Sequence, residues 1–168
     1  MTATITDLHE KLGGAPHSKQ SLRLWLRLLT CATMIENRIR NRLRADFDTT
    51  LPRFDVLAAL DRFPDGLTMG ALSRCMMVSN GNVTGVVSRL ESEGLISRAP
   101  SSTDRRTHFV TLTDKGRAEF ADMAETHESW VDAMFDGISS AEADLLLDYL
   151  DRIKRSVLAF DEDERDRA

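Results

Sequence analysis

Apolar residues return at spacings of three and four over most of this chain and give way once to a pair of short extended runs, which predicts a mainly helical protein carrying a small hairpin. From Ser18 to Phe47 no proline or glycine interrupts the helical pattern, and Leu22, Trp25, Leu26, Leu29, Ile35, Ile39 and Leu43 form a broad apolar face. At 1.5 Å per residue this is a helix of about 45 Å, long for a small domain. A second helix is expected to start near Pro52, to pack through Phe54, Val56, Leu57 and Leu60, and to stop at the Pro64-Asp65-Gly66 turn. Thr68 then reads as the N-cap of a short helix whose buried stripe is Met69, Leu72 and Met76. After a tight turn around Met77 to Asn80, a helix from Ser79 to Leu90 places Val83, Val86, Val87 and Leu90 on one stripe.

That last helix leaves Ser79, Asn80, Asn82, Thr84, Ser88 and Arg89 on its other faces. Amides and hydroxyls at a helix N-terminus suit base edges and phosphates in a major groove. Gly81 and Gly85 each cost a helix roughly 1 kcal/mol relative to alanine and allow close approach to another surface; the alternative is a surface helix that tolerates them. Gly94 is the expected C-cap, followed by strands over residues 95–98 and 107–112, with a polar turn from Pro100 to Arg106 between them. Thr113-Asp114 opens a helix running to about Phe135, Gly137 ends it, and Ser139-x-x-Glu142 is a capping box opening a last helix. Its stripe is Leu145, Leu146, Tyr149, Leu150, Ile153, Val157 and Phe160.

The predicted class is therefore mainly α with a small β wing, a winged helix-turn-helix flanked by N- and C-terminal dimerisation helices. The expected division is an arm at 1–17, a dimerisation helix at 18–50, the winged helix-turn-helix at 51–113, and C-terminal dimerisation helices at 114–168. One winged-helix core has too little surface to bury both terminal helices, so a homodimer is expected; the alternative is that the stripe is intrachain core. Two-fold symmetry predicts a palindromic operator on double-stranded DNA, with half-sites roughly 34–36 Å apart.

With 168 residues and 42% hydrophobic content, the chain has enough apolar side chain for one well-packed domain. Arginines interrupt its most apolar segment, so no membrane span is expected, and the N-terminus lacks the features of a signal peptide, which makes the cytoplasm the expected compartment. The net charge of −5 is unevenly placed: residues 19–44 hold seven basic residues against Glu36, whereas residues 116–168 hold six against fifteen acidic ones. The reading segment from Gly66 to Leu112 has a modest positive balance, and the local footprint is what matters for DNA. No phosphate loop, nucleophile elbow or zinc spacing is present, so neither enzyme nor cofactor is expected. Cys31 and Cys75 stand singly among apolar neighbours and are expected to be buried structural thiols.

Asp104-Arg105-Arg106, followed by Val110, Leu112, Thr113 and Gly116, resembles the Asp-x-Arg…Val-x-Leu-Thr signature of the MarR family of bacterial transcription regulators. The order of elements agrees from about residue 18 to about residue 160. The resemblance implies a DNA-binding dimer of triangular shape with the terminal helices at its apex. It points to Arg106 as the residue entering the minor groove, with Asp104 bracing it and Arg105 meeting the backbone. It also implies an effector site where the dimer helices meet the reading head. The matching residues are Trp25, Met34, Arg38, Arg40, Leu51, Arg53, Phe54, His127 and Trp130, a mixed apolar and cationic surface suited to an anionic aromatic. The stretch from Val78 to Gly85 is similar to a subset controlling aromatic-acid catabolism, some of whose members respond to hydroxycinnamoyl coenzyme A thioesters; Arg38 to Arg44 would then meet the coenzyme's phosphates. Two other classes are carried forward, a redox-sensing regulator acting through Cys31 and a winged helix that binds protein.

Overall fold

A computed structural model describes residues 19–77, 80–100 and 108–166, of which Asn80 and residues 161–166 are described by their backbone only. The expected arm at 1–17 lies outside the described residues. The elements run α1 (Gln20–Phe47), α2 (Leu51–Arg62), β1 (Leu67–Thr68), α3 (Met69–Cys75), α4 (Asn80–Ser92), β2 (Ile96–Pro100), β3 (His108–Leu112), α5 (Asp114–Phe135) and α6 (Ser140–Asp166). They form two compact units, the first ending at His127 and the second beginning at Glu128.

In the first unit the core lies under the reading elements. Leu43 of α1, Val56, Leu57 and Leu60 of α2, Leu72 of α3, Val83, Val87 and Leu90 of α4, and Val110 of β3 are essentially inaccessible to solvent. Asp48 ends α1 in the left-handed region at φ 48°, which asparagine and aspartate tolerate better than most side chains, and its N–H donates to the Leu43 carbonyl. Thr68 caps α3 as expected, its Oγ1 accepting from the Ala71 N–H at 3.2 Å. Gly94 takes φ +74° after α4, which a side chain would strain. The sheet has the order β1-β3-β2, antiparallel throughout, with Ile96 opposite Leu112, Arg98 opposite Val110 and Pro100 opposite His108.

Three sequence expectations are corrected. Leu67 and Thr68 form a third strand beside Val110 and Phe109, which two residues cannot announce through periodicity. Pro100 belongs to β2 and not to the turn; it is the last residue of that strand, where proline's missing N–H removes least. Both cysteines are exposed, not buried. Cys31 lies on the N-terminal part of α1, beyond the intrachain core that covers Ile39 and Leu43, and Cys75 is the last residue of α3.

In the second unit, Ser139 and Glu142 form the expected capping box: the Ser139 N–H donates to Glu142 Oε2 at 2.9 Å, and the Glu142 N–H reaches Ser139 Oγ at 3.4 Å. Of the predicted α6 stripe only Ile153 is half-buried; Leu145, Leu146, Tyr149, Leu150, Val157 and Phe160 are exposed, so the stripe is not intrachain core.

Candidate nucleic-acid interface

The apolar stripe of α4 is held from behind by α2 and α3, which turns its polar side outward. Val83, Val87 and Leu90 are buried, Val86 is half-buried, and Asn82, Thr84, Ser88 and Arg89 are exposed. At Gly81 and Gly85 an added Cβ would meet nothing within 4 Å among the described residues, which leave open space over both. Met77, three residues ahead of the first residue of α4, is 90% exposed and takes φ 54°, a conformation disfavoured for a long side chain. Ser79, Asp104, Arg105 and Arg106 lie outside the described residues, as does the side chain of Asn80.

The root of the wing is tied to this helix by Arg98, which the sequence offers only as a strand residue and one of the segment's positive charges. Its Nη2 donates to Ser88 Oγ at 3.2 Å, and its Nε lies 3.0 Å from Glu91 Oε2 in an ion pair without hydrogen-bond alignment. Ser88 thus already accepts a hydrogen bond from within the chain. A second tie was also missed in its true role. Arg53 of α2 grips Glu93, just past α4, with both terminal guanidinium nitrogens, Nη1 donating to Oε1 at 2.8 Å and Nη2 to Oε2. The hydrogen bond to Arg53 holds the Glu93 carboxyl below its ordinary range and pushes the Arg53 guanidinium higher. Forty residues separate the partners in sequence, a distance at which no local pattern signals a contact.

The expected effector residues divide by environment. Trp25, Met34, Arg38 and Arg40 are exposed on α1, with Arg40 paired to Glu36 one turn earlier. Leu51 and Arg53 are half-buried, and Arg53 Nε also donates to Thr49 Oγ1 at 3.2 Å. Phe54 is buried, its ring 5.5 Å from that of Phe120 and 4.7 Å from that of His127, whose pKa is lowered by desolvation. Trp130 is buried in the second unit. A cleft of about 510 Å³ joins α1, α2 and α4, lined by Arg40, Leu51, Asp55, Asn82 and Val86 among others. Inside it, burial and then the charge of Glu36 push the Asp55 carboxyl up to about 6. Among the described residues no cluster of three or more His, Cys, Asp or Glu side chains could hold a metal ion, and no helix is long and apolar enough to cross a membrane.

Two short helices in tandem, the second with an open polar face and a hairpin rooted beside it, define a winged helix-turn-helix protein. The MarR family model matches residues 47–107, a range that contains α2, β1, α3, α4 and β2. BadR, a transcriptional activatory protein of Rhodopseudomonas palustris, is 38% identical over 97 residues, covering 56% of this chain and 55% of BadR, so the match spans about half of that relative. A MarR family transcriptional regulator from Silicibacter pomeroyi superposes with a TM-score of 0.72 at 29% identity, over 86% of this chain and 99% of that one. CouR from Rhodococcus jostii RHA1, solved bound to p-coumaroyl-CoA, shares the fold at a TM-score of 0.69 and 21% identity, over 77% of this chain and 90% of CouR. The chain thus matches the MarR family of transcriptional regulators over its winged helix-turn-helix segment and is similar in fold to MarR-family structures over most of its length.

Proposed function

We propose that the chain acts as a homodimeric repressor of a palindromic operator, and that a small aromatic acid or its coenzyme A thioester releases it. The observation carrying the DNA contact is the two-sided character of α4, apolar face buried and polar face exposed, with space over Gly81 and Gly85 that no described residue fills. Asn82 and Thr84 then read base edges from the N-terminal half of α4, with Ser79 and Asn80 beside them. Arg89 binds phosphate, and so does Ser88, through the hydroxyl that also accepts from Arg98. In the wing, Arg106 enters the minor groove, Asp104 braces it, and Arg105 meets the backbone.

The dimer is supported by the exposed apolar residues of α1, among them Trp25 at 56%, and of α6, among them Phe160 at 61%. Solitary exposed apolar residues are ordinary, but stripes of them along long helices mark an interaction surface. The effector class rests on the resemblance of residues 78–85 to regulators of aromatic-acid catabolism and on the exposed arginines of α1; CouR, which binds p-coumaroyl-CoA, is a neighbour in fold. A coupling of about 1–3 kcal/mol between effector and DNA corresponds to a roughly 5- to 150-fold loss of operator affinity.

The test is a gel shift of the purified protein on the intergenic DNA upstream of its own gene, with and without aromatic acids and their coenzyme A thioesters. A shift released by one of these classes is the expected result; a shift that no compound releases would overturn the effector reading. On the same fragment Arg106→Ala is expected to weaken binding at least tenfold while the dimer persists. Unchanged affinity in that folded variant would remove the wing from the interface.

A further inference from the structure

The C-terminal end of α4 is anchored far more heavily than its outward face requires. Arg53 of α2 holds the Glu93 carboxylate by both oxygens. From α5, Lys115 Nζ donates to the Glu93 carbonyl at 2.8 Å, and just before α5 the Thr113 hydroxyl donates to the Gly94 carbonyl at 2.7 Å. Glu93 is thereby bound through side chain and backbone to two helices that do not belong to the reading pair.

We infer that Glu93 is a positioning residue for DNA reading: gripped by Arg53 and Lys115, it latches the far end of α4 and sets the angle at which the helix enters the groove. The inference rests on the DNA-binding reading of this face. Its physical basis is leverage. With 13 residues, α4 is about 20 Å long at 1.5 Å per residue, so a tilt of about 5° at the latch moves its first turn by about 1.7 Å. Base-edge hydrogen bonds occupy a window only about 0.5 Å wide, so such a tilt breaks them. Phosphate attraction falls off far more gently with distance and survives it. Loss of the latch therefore acts on discrimination between sequences and leaves the general attraction for DNA in place.

The salt bridge is one-sided in its exposure, the Arg53 side chain 18% accessible and that of Glu93 40%, so Glu93→Gln removes the charge at small risk to folding. The experiment measures, by fluorescence anisotropy at fixed salt, affinity for an operator selected from random duplexes and for an unrelated duplex of equal length. Wild type, Arg53→Gln, Glu93→Gln and the reversed pair Arg53→Glu with Glu93→Arg are compared, each with a thermal melt. The operator preference is expected to fall about tenfold or more in both single variants, with unrelated-duplex affinity within about twofold of wild type, and to return substantially in the reversed pair. Single variants that melt earlier yet keep the wild-type preference would overturn the latch, as would a reversed pair that regains melting temperature but not preference. A wild-type protein from which selection recovers no preferred duplex would overturn the DNA-reading function itself, and the latch with it.

Discussion

Asp55 is the residue whose ionisation works against the fold. Burial raises its folded-state pKa to about 6, above the value of 3.8 it has when solvated, and the neighbouring Glu36 charge acts in the same direction. The folded chain therefore holds this proton more tightly than the unfolded chain. The stability so supplied is complete below pH 4 and is lost as the pH rises through 6. At neutral pH the carboxylate is ionised in a cleft that disfavours charge. Asp55→Asn is expected to stabilise the protein at pH 7.5 by something on the order of 1 kcal/mol, after discounting for its partial exposure. Thermal melts of both proteins across pH 4 to 8 check this: the gap should close toward pH 4, and a constant gap would refute the titration of Asp55 as its source.

The junction between β3 and α5 shows how elements are locked together by the absence of a side chain. A Cβ on Gly116 would lie 1.9 Å from the Leu95 carbonyl oxygen, so the first turn of α5 rests directly on the backbone leading into β2. Thr113 completes the joint, its hydroxyl accepting from the Gly116 N–H at 3.0 Å and its N–H donating to the Leu95 carbonyl at 3.0 Å. Because the obstacle is backbone, it cannot swing aside, and Gly116→Ala must push α5 off the wing root. The expected loss is about 2–3 kcal/mol, the upper part of the range of about 1–3 kcal/mol for overpacking, read as a lower urea midpoint. An unchanged midpoint would mean that α5 shifts freely.

At the scale of the molecule, the proposed homodimer would cover the exposed apolar stripes of α1 and α6 with a second copy of the chain. Leu146 and Leu150 lie one turn apart on α6, both exposed. Replacing both with arginine is expected to yield a monomer by sedimentation and to weaken operator binding by about 10²–10⁴, the loss that follows when two linked reading heads become one. Dimers that persist in this variant would place the interface elsewhere.

Much of this protein was legible in the order of its residues. Helix starts and stops are local events, set by side chains within four residues of the backbone they satisfy, and so Thr68, Gly94 and the Ser139–Glu142 box could be read directly. The amphipathic stripe of α4 was equally plain, since periodicity alone separates Val83, Val87 and Leu90 from Asn82 and Thr84. Other features belong to tertiary structure. Cys31 sits in an apolar run yet is exposed, because burial depends on where the core ends along α1 and not on the neighbours in sequence. The two-residue β1 exists only because Val110 and Phe109 are there to pair with it. Arg53 looks like an available cation until the fold brings Glu93 to it, and Arg98 becomes a brace only when β2 is laid against α4. Local hydrogen bonding and periodicity thus determined the elements, whereas partners distant in sequence, brought together by packing, decided which charges hold the reading helix in place.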